Sequence, residues 1–213
     1  MKIFYEPFTS HIYYNDEARI SNHDEIEAWI NEMYQQSPTK EDGNFYNTGF
    51  TTYFYDDFTA HLDQLDVFKE LATMILKEAE GYVTHRFQHL VNHGTGVPSS
   101  PRVLRFTHMW FNVNPPGGYQ GRHHHAHNLL GGTYYISVPK NTGKIGFTDP
   151  NPFAYLHNQA PPAKNLLIPN FDVMTRAGDL LIWPGWMDHE ISVNKTQDQN
   201  RITVSFGIDW ATP

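Results

Sequence analysis

The sequence predicts an α+β protein, a jelly roll of short antiparallel strands with N-terminal helices packed outside it. Three observations predict it. Apolar residues recur at helical spacing only before about residue 100. After Arg102 short strand-like runs take over, with Gly, Pro, Asn and Asp between them. Four histidines (His123, His124, His125 and His127) then crowd into the five positions 123–127, directly before one such run. The expected organisation is one domain over 1–213. Residues 1–100 would be a mainly helical support region, and 101–213 a jelly-roll core holding the site.

In chain order, Ile3 and Tyr5, then Ile12 and Tyr14, alternate as in one or two short strands. A helix follows. Ser21 is a plausible N-cap with Asp24 three positions on, and Ile26, Trp29, Ile30 and Met33 share one face. The polar stretch from Ser37 to Asn47 carries Pro38 and Gly43 and reads as a loop. A second helix is expected over about 60–82, with Leu65, Phe68, Ala72, Ile75, Leu76 and Ala79 as its apolar stripe. Both helices read as packing elements without chemistry of their own. Strands are expected at 103–113, 133–138, 144–147, 166–168, 173–175, 179–183, 189–193 and 201–208, with a turn at Pro115-Pro116-Gly117-Gly118.

Composition removes several function classes. The chain has no cysteine, which excludes disulfides, thiolate zinc sites, iron–sulfur clusters and Cys nucleophiles. The formal charge is -8 with no basic run, which argues against general nucleic-acid binding. The first residues lack the apolar core of a signal peptide and no apolar run reaches membrane length. A soluble, cytoplasmic protein without membrane partners is the expectation.

The histidines carry the chemical signal. Side chains two apart on a strand share a face, so His123, His125 and His127 could lie together while His124 points away. Two such imidazoles can take neighbouring positions on one metal ion. The best candidate for a third ligand is His189, near the start of another strand-like run. Imidazole suits iron, zinc, copper and nickel alike, so residue type does not choose the metal. The plain alternative is a solvated polar turn and a hydrogen-bonded surface His189.

Twelve residues after His189 stands Arg201, which shares a strand face with Thr203 and Ser205. A guanidinium aimed into a barrel is costly unless it meets an anion, and with a neighbouring hydroxyl it forms a natural carboxylate clamp. The plain alternative is a strand-end surface Arg paired with an acid such as Asp198.

These pieces resemble the iron(II)- and 2-oxoglutarate-dependent oxygenases, in particular a small His-x-His branch near the prolyl hydroxylases. The matching stretches are M-W-F-N-V-N, G-R-H-H-H-A-H-N-L-L-G-G-T-Y-Y-I, F-T-D-P, G-D-L-L-I-W-P-G-W-M-D-H and R-I-T-V-S-F. They span about residues 108–209, roughly half of the chain. The resemblance implies a double-stranded β-helix, of the jelly-roll or cupin-like kind, around an Fe(II) site. It assigns His123, His125 and His189 as metal ligands, with His125 in the position usually held by Asp. It assigns Arg201 and Tyr135 to the far carboxylate of 2-oxoglutarate, Thr203 as an assisting hydroxyl, and Asn112 near the cosubstrate. No catalytic residue beyond the metal ligands is implied. Trp110, Trp183 and Trp186 could wall the pocket, Trp183 equally well being core, and Asp188 is either an orienter of His189 or a surface acid.

The implied activity is that of a dioxygenase using Fe(II), 2-oxoglutarate and O2 to hydroxylate a prolyl or other side chain, or a small metabolite, with release of succinate and CO2. Three neutral imidazoles leave the iron one charge more positive than two imidazoles and a carboxylate, which should alter its potential and metal preference. Two alternatives stay open. One is a cupin-like three-His metal enzyme that needs no keto acid. The other is a non-catalytic jelly-roll binding protein with an adventitious His cluster.

Overall fold

The computed structural model describes residues 10–37, 49–55, 58–92, 103–149 and 170–211. In chain order the elements are β1 (Tyr13–Asn15), α1 (His23–Gln36), β2 (Phe50–Thr51), α2 (Lys69–Asn92), β3 (Leu104–Asn114), β4 (Gln120–His123), β5 (Leu130–Ser137), β6 (Ile145–Thr148), β7 (Asn170–Val173), β8 (Leu180–Pro184), β9 (His189–Ile191) and β10 (Arg201–Trp210). Two antiparallel sheets result, one of six strands in the order β1-β8-β5-β10-β3-β2 and one of four in the order β4-β9-β6-β7. This is the α+β jelly roll that the strand pattern predicts.

Strand alternation sorts the central strands between two cores. On β5, Tyr134 and Ile136 face the helices, where they pack with Ile26 and Ile30 of α1, Leu71 and Ile75 of α2, and Phe111 and Phe206 of the sheet. Tyr135 faces the other way, into the space between the sheets, with Ile145, Phe147, Leu181, Trp183 and Ile191. Each fully buried side chain of this size contributes about 1.5–3 kcal/mol relative to exposure. Gly132 is required here. A Cβ on it would lie 2.1 Å from Phe206 Cζ and 2.8 Å from the Leu181 carbonyl oxygen.

The first hundred residues do more than brace the barrel. β1 pairs with β8 and β2 with β3, so both edges of the large sheet come from the N-terminal region. Among the described residues no helix is long and apolar enough to cross a membrane.

Several boundaries differ from expectation, each for a local reason. Ser21 does not cap α1. Asn22 occupies the N-cap without a side-chain bond, while Ser21 donates from its amide and hydroxyl to Glu70 of α2, at 2.9 and 2.7 Å. The second helix begins at Lys69, because the preceding residues form three single 3-10 turns and His61 bridges to Met109 of β3. That helix then runs on to Asn92, past the expected end near Tyr82. Strand β7 ends at Val173, so the expected strand at 173–175 lies earlier in the chain. Strands β2 and β4 had no clear periodic signal. The expected strand around Ile3 and Tyr5, the loop beyond Ser37, and the strand at 166–168 lie outside the described residues.

Candidate metal centre

His123 ends β4 and His189 begins β9, and the two are direct register partners across the small sheet. Their ring centroids stand 4.3 Å apart. His125 lies two residues past the end of β4, in a turn, so strand parity does not place it. Its own backbone does. The His125 amide donates to the Gly185 carbonyl and its carbonyl accepts from the Asn128 amide, both at 2.8 Å. Gly185 makes this approach possible, since a Cβ there would sit 2.2 Å from Asn128 O and 2.7 Å from His125 O. The His125 ring centroid ends 5.1 Å from that of His123 and 5.4 Å from that of His189. One ring nitrogen from each of the three lies within 4.8 Å of the others, close enough to hold one ion.

Hydrogen bonding selects the nitrogens. His123 Nδ1 bonds the Gly121 carbonyl at 2.8 Å and His189 Nδ1 bonds the Met187 carbonyl at 3.0 Å. A carbonyl only accepts, so each Nδ1 carries the hydrogen and each Nε2 keeps a free lone pair. The orienting partner of His189 is therefore a backbone carbonyl, and Asp188 has no such bond with it. Burial pushes all three imidazoles below their ordinary pKa, His125 to about 3, with the neighbouring histidines adding to the effect. They stand neutral at pH 7, the state in which imidazole binds metal.

His124 is exposed and its Nδ1 accepts from the Ala126 amide at 3.2 Å. His127 is also exposed, and both line the rim of the cavity without joining the cluster. A second close group, His23, Asp24 and Glu27, is of another kind. Both ring nitrogens of His23 are already engaged, by the Tyr134 hydroxyl at 2.8 Å and the Ile136 carbonyl at 2.9 Å.

Arg201 opens β10 and is 1% exposed. Its guanidinium carbon is 5.2 Å from the centroid of the Tyr135 ring. Its Nε, Nη1 and Nη2 are buried with no hydrogen-bond partner among the described residues, as are the Tyr135 hydroxyl and the Thr175 hydroxyl. Burial lowers the Arg201 pKa, while the neighbouring Tyr135 hydroxyl opposes the shift without reaching hydrogen-bond geometry with the guanidinium. Burial raises that of Tyr135, and Arg201 opposes that shift. An unpaired buried guanidinium costs several kcal/mol, roughly what an incoming carboxylate would recover. The orphaned donors suit a carboxylate.

Thr203 faces Tyr135 and Asn112 in the two registers that flank it. Asn112 Nδ2 donates to Ser205 Oγ at 3.0 Å and to Thr203 Oγ1 at 3.4 Å. Ser205 also bonds Thr133 at 3.0 Å. The cavity in front of the histidines, about 210 Å³, is lined by Asn112, Thr133, Ser205, Trp110 and Trp183 among others. Arg201, Tyr135 and Thr203 lie outside that lining. They continue the same strand faces, at ~6.6 Å per step of two residues. Trp183 both packs in the inter-sheet core and lines the cavity, its ring centroid 4.8 Å from that of His189. Trp186 does not line it and is 42% exposed. Sequence reasoning passed over Thr133, Gln120, Thr51 and Tyr53, which also line it. Thr133, Gln120 and Thr51 had only polarity at strand positions as a signal, and Tyr53, in the turn after β2, had none.

Residues 108–207 match the model of the family described as "Putative 2OG-Fe(II) oxygenase". No curated protein sequence matches the chain. Solved structures similar in fold include the following three. The non-heme alpha ketoglutarate dependent epimerase SnoN from nogalamycin biosynthesis is 14% identical, with 93% of this chain and 77% of that one covered and a TM-score of 0.62. A Pseudomonas putida prolyl-4-hydroxylase is 12% identical over 96% of this chain and 95% of its own, with a TM-score of 0.54. HygX from Streptomyces hygroscopicus, solved with nickel and 2-oxoglutarate bound, is 14% identical over 94% and 83%, again with a TM-score of 0.54.

Proposed function

We propose that the chain is an iron(II)- and 2-oxoglutarate-dependent dioxygenase that hydroxylates an organic substrate, a reading supported by the match of residues 108–207 to the oxygenase family model. His123, His125 and His189 hold Fe(II) through Nε2, or for His125 through whichever ring nitrogen faces the ion. Arg201 and Tyr135 bind the far carboxylate of 2-oxoglutarate. The observation that carries this reading is the buried guanidinium of Arg201, whose three nitrogens have no partner among the described residues and which stands beside a hydroxyl in the same condition.

Charge balance supports it. Three neutral imidazoles leave the full double positive charge of the ion uncompensated. One carboxylate of a dianionic keto acid offsets one of those charges at the ion and the other meets Arg201, so the cosubstrate lowers the summed charge of ion and guanidinium from +3 to +1. The fork geometry of a guanidinium suits such a partner. Tyr135 adds one O–H donor. Asn112 donates to both Thr203 and Ser205, so these side chains fix the inner face of β3 and β10 beside the cosubstrate.

The chemistry supplied by Fe(II) and 2-oxoglutarate when bound is conversion of the keto acid and O2 into succinate and CO2, with one oxygen atom passing into a substrate C–H bond. The protein's own part is to keep the imidazoles neutral, to orient them through Gly121 and Met187, and to exclude water with Trp183, Ile145 and Ile191. A cytoplasmic location belongs to the same proposal, because Fe(II) persists in a reducing compartment.

The test is succinate formation from 2-oxoglutarate by the purified chain under air. Formation that needs Fe(II) and is lost in His189→Ala supports the proposal. A metal-loaded protein that leaves 2-oxoglutarate unchanged and unbound would instead favour a three-His metal enzyme of another kind.

A further inference from the structure

We propose that the prime substrate is a small, uncharged, hydroxyl-bearing ring compound, held against an aromatic shelf made by Tyr53 and Phe54 of the N-terminal region together with Trp110. This rests on the oxygenase reading of the cavity and names the substrate class for it.

The shelf is built from a segment with no recognisable motif. Tyr53 follows β2 and lies against Trp110 of β3, ring centroids 4.7 Å apart. It also stands 6.2 Å from the ring of His125. Phe54 packs edge-on to Tyr53 at 5.1 Å and is 61% exposed. All three side chains line the cavity in front of the histidines.

The shelf is fixed in place. The Thr52 amide donates to the Phe111 carbonyl at 3.1 Å, and the Phe111 amide donates to Thr52 Oγ1 at 3.2 Å. Thr52 Oγ1 in turn donates to the Thr59 carbonyl at 2.8 Å, and the Tyr55 amide closes a turn onto the Thr52 carbonyl at 3.2 Å. A turn tied to β3 in this way presents its rings preformed, which lowers the ordering cost of binding. Phe54 leaves its ring accessible at the cavity mouth, beside Tyr53 and Trp110.

The rest of the lining decides the chemistry. Among the described residues the cavity wall contains no Asp, Glu, Lys or Arg. A charged substrate group there would have no Asp, Glu, Lys or Arg partner among the described residues once desolvated. Hydroxyl and amide groups are present instead, on Thr51, Asn112, Gln120, Thr133 and Ser205. Flat aromatic faces with neutral hydrogen-bonding groups suit a ring that carries hydroxyls.

The experiment uses the full chain loaded with Ni(II) as a redox-inert stand-in and with 2-oxoglutarate, each binding step being titrated first. The probes are phenyl β-glucoside, the same compound with a 4-carboxylate, and a short blocked peptide containing proline. Binding is read by tryptophan fluorescence, since Trp110 and Trp183 line the cavity. The neutral glucoside should bind saturably, and the carboxylate should weaken it at least about tenfold. Tyr53→Ala and Phe54→Ala should each weaken it about fivefold or more while Ni(II) and 2-oxoglutarate titrate as in the parent. Tyr53→Phe should keep most of the affinity. Phe54 is exposed, so its variant folds even if Tyr53→Ala does not. Preference for the carboxylate, binding of the peptide alone, no saturable binding of the glucoside, or Phe54→Ala binding like the parent would each overturn the substrate class. Failure of Ni(II) or 2-oxoglutarate to bind the parent would overturn the oxygenase reading, and this inference with it.

Discussion

His123 and His189 face each other as register partners at the mouth of the small sheet, with ring centroids 4.3 Å apart and each Nδ1 tied to a backbone carbonyl. Two strands far apart in sequence thus hold two lone pairs in fixed relation. Either side chain should be indispensable to the metal. His123→Ala or His189→Ala should lose Fe(II) and 2-oxoglutarate binding together, as titration of each variant would show. Retained stoichiometric metal in either variant would place the ion elsewhere.

Arg201 should act on the cosubstrate alone. Arg201→Ala should leave metal binding nearly intact. It should weaken 2-oxoglutarate by about 30- to several-thousand-fold, the equivalent of roughly 2–5 kcal/mol for truncating one partner of a buried charge pair. Lys at this position should recover part of the charge without the fork. Equal keto-acid affinity in parent and Arg201→Ala would show that the clamp is misassigned.

The same residue should weigh on stability in the opposite sense. Its three buried nitrogens have no partner among the described residues, so the apo protein carries an uncompensated charge. Arg201→Met should melt no lower than the parent without ligand, and higher if the space stays dry. Saturating 2-oxoglutarate and metal should raise the melting temperature of the parent far more than that of the variant. A strongly destabilised apo Arg201→Met would mean that the guanidinium has a structural partner.

His23 should give the fold a pH dependence apart from the metal. Burial lowers its pKa, and its neutral ring bridges the Tyr134 hydroxyl and the Ile136 carbonyl. The unfolded chain therefore binds this proton more tightly. Stability should be full above the ordinary histidine value of about 6.5 and should fall as pH drops toward the lowered folded value. Urea melts of parent and His23→Gln, both metal-free, should show a smaller loss below pH 6.5 in the variant. An identical pH slope in the two would remove His23 from the account.

Gly185 should matter to the site although it touches no ligand. A methyl group there meets backbone oxygens of Asn128 and His125 at 2.2 and 2.7 Å. Gly185→Ala should cost about 1–3 kcal/mol of stability. It should also weaken metal binding by displacing His125, as paired denaturation and metal titrations would show. Unchanged metal affinity would mean that His125 is not held by this contact.

What could be read in the sequence was what depends on local period. Ile26 and Ile30 announce their face by spacing alone, and the structure puts them in the core. The grouping of His123, His125 and His189 was legible because strand ends and histidines coincide. Strand parity does not place His125, which lies beyond the strand and is set by Gly185 and Asn128. Long-range partners stayed hidden. Ser21 looked like a cap, but Glu70 captures it from 49 residues away. Asp188 reads from the sequence as either an orienter of His189 or a surface acid, and the Met187 carbonyl is the group that orients His189. The shelf of Tyr53 and Phe54 had no signal, because Thr52 fixes it through bonds to β3 and Thr59, with β3 nearly sixty residues on.

The most direct measurement is a crystal structure of the chain loaded with metal and soaked with 2-oxoglutarate, using anomalous scattering to locate the ion. The account predicts one ion bound by His123, His125 and His189. It also predicts the keto acid reaching between the sheets, with its far carboxylate in hydrogen-bond contact with Arg201 and Tyr135. An ion bound elsewhere, or a keto acid that leaves the Arg201 guanidinium unpaired, would contradict it.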